Sequence, residues 1–466
     1  MPLPKVAPII VAALPIPETL NADELFDYHK KIVYGLLDRR IHVVSYACDG
    51  TETERSVQRM FLQAADRVIR HMIKNPRPGC PDIVVIIGVY KGNWIIPIQD
   101  SKHGLKTLRN NLFSGACLLT LGSYTAIYRH ISELAQEAGS PLYHRDVIKL
   151  DRQDDLAATR LFSAATMEFL SKHHPEYLGE IVYLFVFGEL IDAYQNRSIS
   201  LKERVTMVLR TQYFVDYWRA FLAEVGYSET QYFISREAAD ILTYLINGLI
   251  GLVIVYRDHY QGQYPLFPWL HSSETCEHVF GEARQIVKDF TMLDFYYMLT
   301  KLRIKLREAA FRSHTTSFKA RAAGYCHTYS DAKGVDYSGL AQFPADESFD
   351  DAAAEAMDQC NSLMALLGLN PSHLQSLLAK ESFKPVLPSI ASWLPNSAQD
   401  DGDLLDNGSD DGMSEYGSEY DEGNELQRLM ELAEDENLSV SNKDSQRLTQ
   451  LACAYAAVMN NEMAQM

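Results

Sequence analysis

The chain has 466 residues, 47% of them hydrophobic, and a formal charge of −18, enough material for two to three domains with a substantial core. From residue 346 onward 24 acids stand against 5 bases, a net of −19, which leaves 37 acids and 38 bases in the first 345 residues; the overall acidity therefore does not exclude a nucleic-acid partner. Seven cysteines (48, 80, 117, 276, 326, 360 and 453) contain no CxxC pair, which excludes a zinc ribbon and a disulfide framework and reads as reduced thiols inside a cell.

The opening "KVAPIIVAAL" is rich in β-branched residues and predicts a strand; proline interrupts the apolar run and no clear cleavage site follows, so a secretory signal is not expected. "NADELFDYHKKIVYGLLDRR" has helical spacing, with Leu25, Tyr28, Ile32 and Leu36 on one stripe. "IHVVSYACD" predicts a second strand, "RSVQRMFLQAADRVIRHMIK" a second amphipathic helix, and "PDIVVIIGVY" and "WIIPIQD" two more strands. Helix and strand in alternation point to an α/β sheet over residues 1–125.

From 126 to 265 the pattern is helical only, and several helices are apolar nearly all round, as inner bundle helices are. The aromatic stripes here read as core. "LTYLINGLIGLVIVY" (242–256) is shorter than the ~20 residues a bilayer needs and carries Asn247, so a buried helix is expected and no membrane partner. Residues 266–345 read as a further helical unit ending in a basic stretch: seven Lys/Arg between 301 and 321 against one acid, Glu308. Such a stretch is either a solvated face or a phosphate-facing surface. Residues 346–466 read as an acidic tail with short helices, and 396–425, with eleven acids and no base, as disordered.

Two short motifs carry chemistry. In "IQDSKHGLKTLRNNL" an acid, Asp100, ends an apparent strand, and a helix-like run follows in which Lys102, Lys106 and Arg109 recur at i, i+4 and i+7. In "SSETCEHVFGEAR" (272–284) Glu277 falls near a helix start, with Glu274 as a rival and Arg284 beyond it. Taken singly, Asp100 is equally an N-cap and Glu277 an ordinary first-turn acid.

Together and in this order, the motifs resemble the second-acid and third-acid motifs of the P-element and THAP-type transposases, over roughly residues 30–310. The resemblance implies a ribonuclease-H-like α/β core split by a large all-α insertion, and an ancestral metal-dependent DNA strand transfer. It implies that Asp100 and Glu277 are catalytic acids and ligands for Mg²⁺ or Mn²⁺, hard ions that prefer carboxylate oxygens. It further implies phosphate contacts from Lys102, Lys106, Arg109, Arg284, Lys301, Arg303, Lys305 and Arg307. The family's first acid belongs on a strand upstream of "KVAPIIVAAL", so an incomplete site and impaired catalysis are expected; Asp49, in "SYACDG", matches a different family position, the acid closing the third strand, and is at most a weak, partial substitute for the first acid. The zinc-coordinating DNA-binding module of THAP-type members is also not found. The guanine nucleotide bound by the animal members' insertion has no recognisable motif here.

Elsewhere, Asp146, Asp151, Asp154 and Asp155 lie among Arg145, Lys149, Arg152 and Arg160 and read as a salt-bridged surface. His271 and His278 read as structural. The contrasting expectation is a non-enzymatic nuclear scaffold whose acidic tail binds basic proteins. A nuclear or cytoplasmic location follows from either reading, and homo-oligomerisation is left open.

Overall fold

The computed structural model describes residues 8–15, 20–80, 82–147, 152–312, 335–380 and 390. It is mostly helical with a small mixed sheet. Helix α1 (Ala22–Asp38) starts in a capping box, Asn21 accepting from the Glu24 amide while the Glu24 side chain reaches back to the Asn21 amide. Strand β1 (Ser45–Cys48), helix α2 (Glu52–Gln63) and strands β2 (Arg67–Ile73), β3 (Ile83–Tyr90) and β4 (Asn93–Gln99) follow, then helix α3 (Ser101–Ser114). The sheet order is β1-β4-β3-β2, with β1 parallel to β4 and the other pairs antiparallel.

The β4 side chains alternate as a strand's must. Ile95 joins Phe61 and Tyr90 in a cluster beneath α1 and α2, whereas Ile96 and Ile98 enter the main core. On that second face lies α11 (Arg236–Ile254). It comes close because a Cβ on Gly248 would meet Ile98 at 2.9 Å and one on Gly251 would meet Ile96 at 2.8 Å. With its continuation to His259, α11 is long and apolar enough to cross a membrane, yet nearly all of it is buried inside the protein. Its one amide, Asn247, accepts from the Ile86 amide (3.0 Å) and donates to the Ile86 carbonyl (3.3 Å). These are β3 backbone groups where β4 no longer pairs. The buried amide thus satisfies a backbone that would otherwise be left short of partners.

A short hairpin, β5 (Leu119–Leu121) and β6 (Tyr124–Ala126), leads into α4 (Tyr128–Leu134), α5 (His144–Val147), α6 (Asp155–Leu161), α7 (Ala164–His173), α8 (Leu178–Gln195), α9 (Leu201–Val225) and α10 (Glu229–Tyr232). These helices, α11 and one face of the sheet share a single continuous hydrophobic core. Helices α12 (Glu274–Ile286) and α13 (Met292–Arg312) form a hairpin around a small cluster of their own, including Val279, Ala283, Phe295, Met298, Leu302 and Leu306. Helices α14 (Asp346–Leu366) and α15 (Pro371–Leu378) close the described chain, with α14 packed along α9.

Four expectations need correcting. Residues 8–14 of the opening apolar run form no strand; Ile10 and Ala13 instead pack on the α12–α13 cluster. The helix expected over 55–74 stops at Gln63, and 67–73 is β2, whose half-buried "RVIRHMI" alternation was hidden by the helical spacing before it. The buried stripe of α1 is Leu25, Val33 and Leu37, and Tyr28 is exposed. The tail does not begin at 346: Phe349, Ala353, Met357, Cys360 and Met364 put α14 into the main core, its acids turned outward. The 396–425 stretch and the final apolar segment lie outside the described residues.

Candidate functional site at the sheet tip

Parallel pairing of β1 and β4 sets Cys48 opposite Gln99, and the Asp100 amide donates to the Cys48 carbonyl (3.0 Å). Asp49 and Asp100 therefore leave the sheet side by side at the same edge. Glu54 holds the Asp49–Gly50 turn by accepting from both amides, at 3.2 and 3.1 Å.

Asp100 is 2% exposed, and both of its oxygens are used. One accepts from the Lys102 and His103 amides at 2.7 and 3.2 Å, capping α3. The other accepts from the amide and hydroxyl of Ser273 at 2.9 and 3.0 Å. Ser273 is the residue on which α12 begins. One carboxylate thus joins two helix starts, 173 positions apart in sequence, and each start offers it unpaired amides and the positive end of a helix dipole. Nearby, His271 is half-buried; its Nδ1 meets the Ser45 hydroxyl at 2.7 Å, and desolvation drives its pKa down to about 4.

The Ser273 anchor brings Glu277, one turn into α12, to the same edge. Glu277 is exposed, yet partial desolvation raises its carboxyl above the ordinary value, and the Asp100 charge raises it further. Asp155 and Asp49 act in the same sense, while Lys106 opposes them. Burial alone would lower Lys106; Asp155, Glu277 and Asp100 outweigh it and hold the ammonium above its ordinary value. Two motifs far apart in the chain are therefore brought into one electrostatic neighbourhood. Two residues that the sequence did not assign to this site, Asp155 and His103, complete it together with Glu274, the rival of Glu277.

The cations of α3 are matched to these acids one by one. Lys102 meets Glu274 at 2.8 Å, His103 meets Asp49 at 3.3 Å, and Lys106 meets Asp155 at 3.1 Å. Arg109 is 1% exposed, lies over the Phe113 ring and donates to the Asp154 carbonyl at 3.1 Å. Phosphate contacts were expected of Lys102, Lys106 and Arg109. The structure instead turns them inward, because the start of α6 covers Lys106 and Arg109 and the start of α12 meets Lys102. Asp154 and Asp155 open α6, so the expected salt-bridged surface supplies Lys106 with its partner; Asp146 and Arg160 form a second, buried pair at 2.5 Å.

Three of the acids at this edge, Asp100, Asp49 and Asp155, are already partnered within the protein. Among the described residues no group of three or more His, Cys, Asp or Glu side chains is arranged to hold an ion. A metal at Asp100 would have to displace the start of α3 or of α12, and one at Asp49 or Asp155 would compete with His103 or Lys106. The Asp100 and Asp49 oxygens are thus engaged by protein groups, Glu277 stands exposed beside them, and a role for the three as ligands for Mg²⁺ or Mn²⁺ stays an expectation from sequence.

The remaining basic candidates sit apart, on the hairpin. Arg284, Lys301, Arg303 and Arg307 are exposed. Lys305 is paired with Glu282 at 2.8 Å and Gln285 at 2.9 Å. The basic positions beyond 312 lie outside the described residues. The same helix exposes Leu293, Tyr296, Tyr297 and Ile304.

No protein-family model matches the sequence, and no curated protein matches it significantly. Among solved structures the chain is similar to the Drosophila P element transposase strand transfer complex, at 14% identity and a TM-score of 0.43. The likeness covers 64% of this chain and 65% of that one, so the chain spans just under two thirds of its neighbour's length.

Proposed function

We propose that this is a transposase-derived protein with a ribonuclease-H-like half-sheet, which has lost metal-dependent strand transfer and keeps an affinity for DNA through its α12–α13 hairpin. The motif order supports the descent, together with the convergence of Asp49, Asp100 and Glu277 on one sheet edge. The observation that carries the loss is the double use of Asp100. A carboxylate that already accepts four hydrogen bonds at two helix starts is a structural clamp, and two-ion chemistry needs carboxylate oxygens shared between ions about 4 Å apart. DNA affinity is assigned to Arg303, Arg307, Lys301 and Arg284, whose exposed charges are placed to displace counterions from a phosphate backbone.

The test uses the full chain and labelled duplex DNA. Binding is expected to weaken steeply with salt, and Arg303→Ala with Arg307→Ala is expected to flatten that salt dependence by about two charges. No nicking is expected with Mg²⁺ or Mn²⁺. Manganese-dependent nicking abolished by Asp100→Asn would overturn the loss of catalysis, and salt-insensitive or absent binding would overturn the DNA assignment.

A further inference from the structure

Helix α13 carries a second apolar face opposite the one it turns to α12. Phe295, Met298, Leu302 and Leu306 form the inner face. On the outer face Leu293, Tyr297, Thr300 and Ile304 recur at i, i+4, i+7 and i+11, the spacing of a helix-pairing seam. Leu293 is 62% exposed, Tyr297 75% and Ile304 59%. With Met292 and Tyr296 they are five of the seventeen large apolar side chains exposed among the described residues, and apolar surface gathered in this way marks an interaction site. At 100° per residue the two edges of the seam differ: Asp294, Lys301 and Glu308 line one, Tyr296 and Arg303 the other. Asp294 caps its own helix through Oδ2, which accepts from the Thr291 amide and hydroxyl at 2.9 and 2.7 Å, and this leaves Oδ1 to a partner.

We propose that this seam pairs with the same seam of a second copy of the chain, antiparallel and about a two-fold axis. Leu293 then meets the partner's Ile304, and Tyr297 meets the partner's Thr300, a large side chain against a small one. The axis repeats both layers. Like edges meet in an antiparallel pair, so Asp294 faces the partner's Lys301 on one side. On the other side Arg303 faces the partner's Tyr296 ring. Each contact is made twice, and the seam is complementary to itself in size and in charge. A parallel pair fits worse, because it sets Tyr297 against Tyr297, Thr300 against Thr300 and Arg307 against Arg307. A seam of about three turns is small beside a standard interface of about 800 Å² per partner, so the association is weak and depends on concentration. It stands independently of DNA binding: Arg284 and Arg307 lie outside the overlap.

Sedimentation of the full-length chain without DNA, from about 1 to 200 μM, tests the pairing. A monomer–dimer equilibrium is expected. Ile304→Ser and, separately, Lys301→Glu change exposed side chains that the fold does not use, and each is expected to weaken the dimer about tenfold or more. Register is read by mixing a Leu293→Cys chain with an Ile304→Cys chain, oxidising with diamide, and identifying the bridged peptides by mass spectrometry. Bridges from 293 to 304 are expected to exceed 293–293 and 304–304 bridges by about fivefold or more. A monomer at every concentration would overturn the proposal, whether or not amide exchange shows 293–304 to be covered. A dimer that neither substitution weakens would place the contact elsewhere and overturn it too. An excess of like-to-like bridges would overturn the antiparallel arrangement.

Discussion

The sheet tip and α13 carry similar side chains to opposite ends. At the tip, every cation of α3 expected to face DNA is spent inside the protein: Lys102 on Glu274, Lys106 on Asp155, Arg109 beneath Asp154. On α13 the cations stand beside exposed tyrosines and aliphatic side chains. The difference is one of packing. Helix α3 lies between the sheet edge and three other helices, so its charges must find partners or not be buried. Helix α13 packs on one face alone, so its outward charges cost nothing to leave in water. A motif of acid followed by bases therefore describes a charge inventory, and the tertiary neighbours decide whether that inventory serves a ligand or the fold.

That comparison can be broken most directly at Asp100. Asp100→Ala removes a buried acceptor from two helix starts at once and is expected to cost about 3–4 kcal/mol of stability in urea unfolding. A loss below about 1 kcal/mol would mean that the clamp is unimportant. Next, Arg109→Ala should cost about 2–3 kcal/mol, through the vacated volume and the unpaired Asp154 carbonyl. Arg303→Ala on α13 should stay within about 0.5 kcal/mol. If the two arginines cost the same, the contrast between inward and outward charge fails.

Lys106→Met is a smaller perturbation, about 1 kcal/mol, because Asp155 remains partly solvated. It sharpens the comparison in another way, since it leaves Asp155, Glu277 and Asp100 without their shared ammonium. The variant is expected to bind Mn²⁺ more tightly than the parent chain by paramagnetic relaxation of water, and unchanged affinity would show that Lys106 does not neutralise the cluster.

Glu277→Gln has the smallest effect and the opposite sign. The folded state holds the Glu277 carboxyl above its ordinary value of 4.5, through partial desolvation and then Asp100. Its protonated form is thus favoured, and the associated stability is full below that ordinary value and lost as pH rises through the folded one. Wherever the carboxyl is ionised, the substitution removes a charge the site disfavours and should raise Tm by about 1 °C, a gain that disappears in acid. A Tm lowered at pH 7 would reverse the assigned sign.

Much of the tip was legible in the sequence. The strand "WIIPIQD" ends at Asp100 because an acid there can cap the helix that follows, and the helix began where the basic run did. Glu277 was legible from its place near a helix start. What could not be read was the partner of each charge. Asp155 reaches Lys106 only because α6 packs against α3, and neither residue's neighbours in the chain report that contact. The strand β2 was obscured for a related reason: "DRVIRHMI" follows an amphipathic helix without Gly or Pro to separate them, so the change of period is carried by two or three residues. Helix α14 was expected as a short helix, but of an acidic tail, because its outward acids dominate its composition, while its alanines, methionines and Cys360 fill the groove along α9.

Asn247 has a last consequence. Its two bonds to Ile86 act as an index pin between the longest apolar helix on the sheet and the strand beneath it. Otherwise that contact is greasy and smooth, and aliphatic ridges could slip by a notch at little penalty. A slip here would strand the amide and the backbone pair together in a dry interior, so α11 is locked in one axial setting against β3.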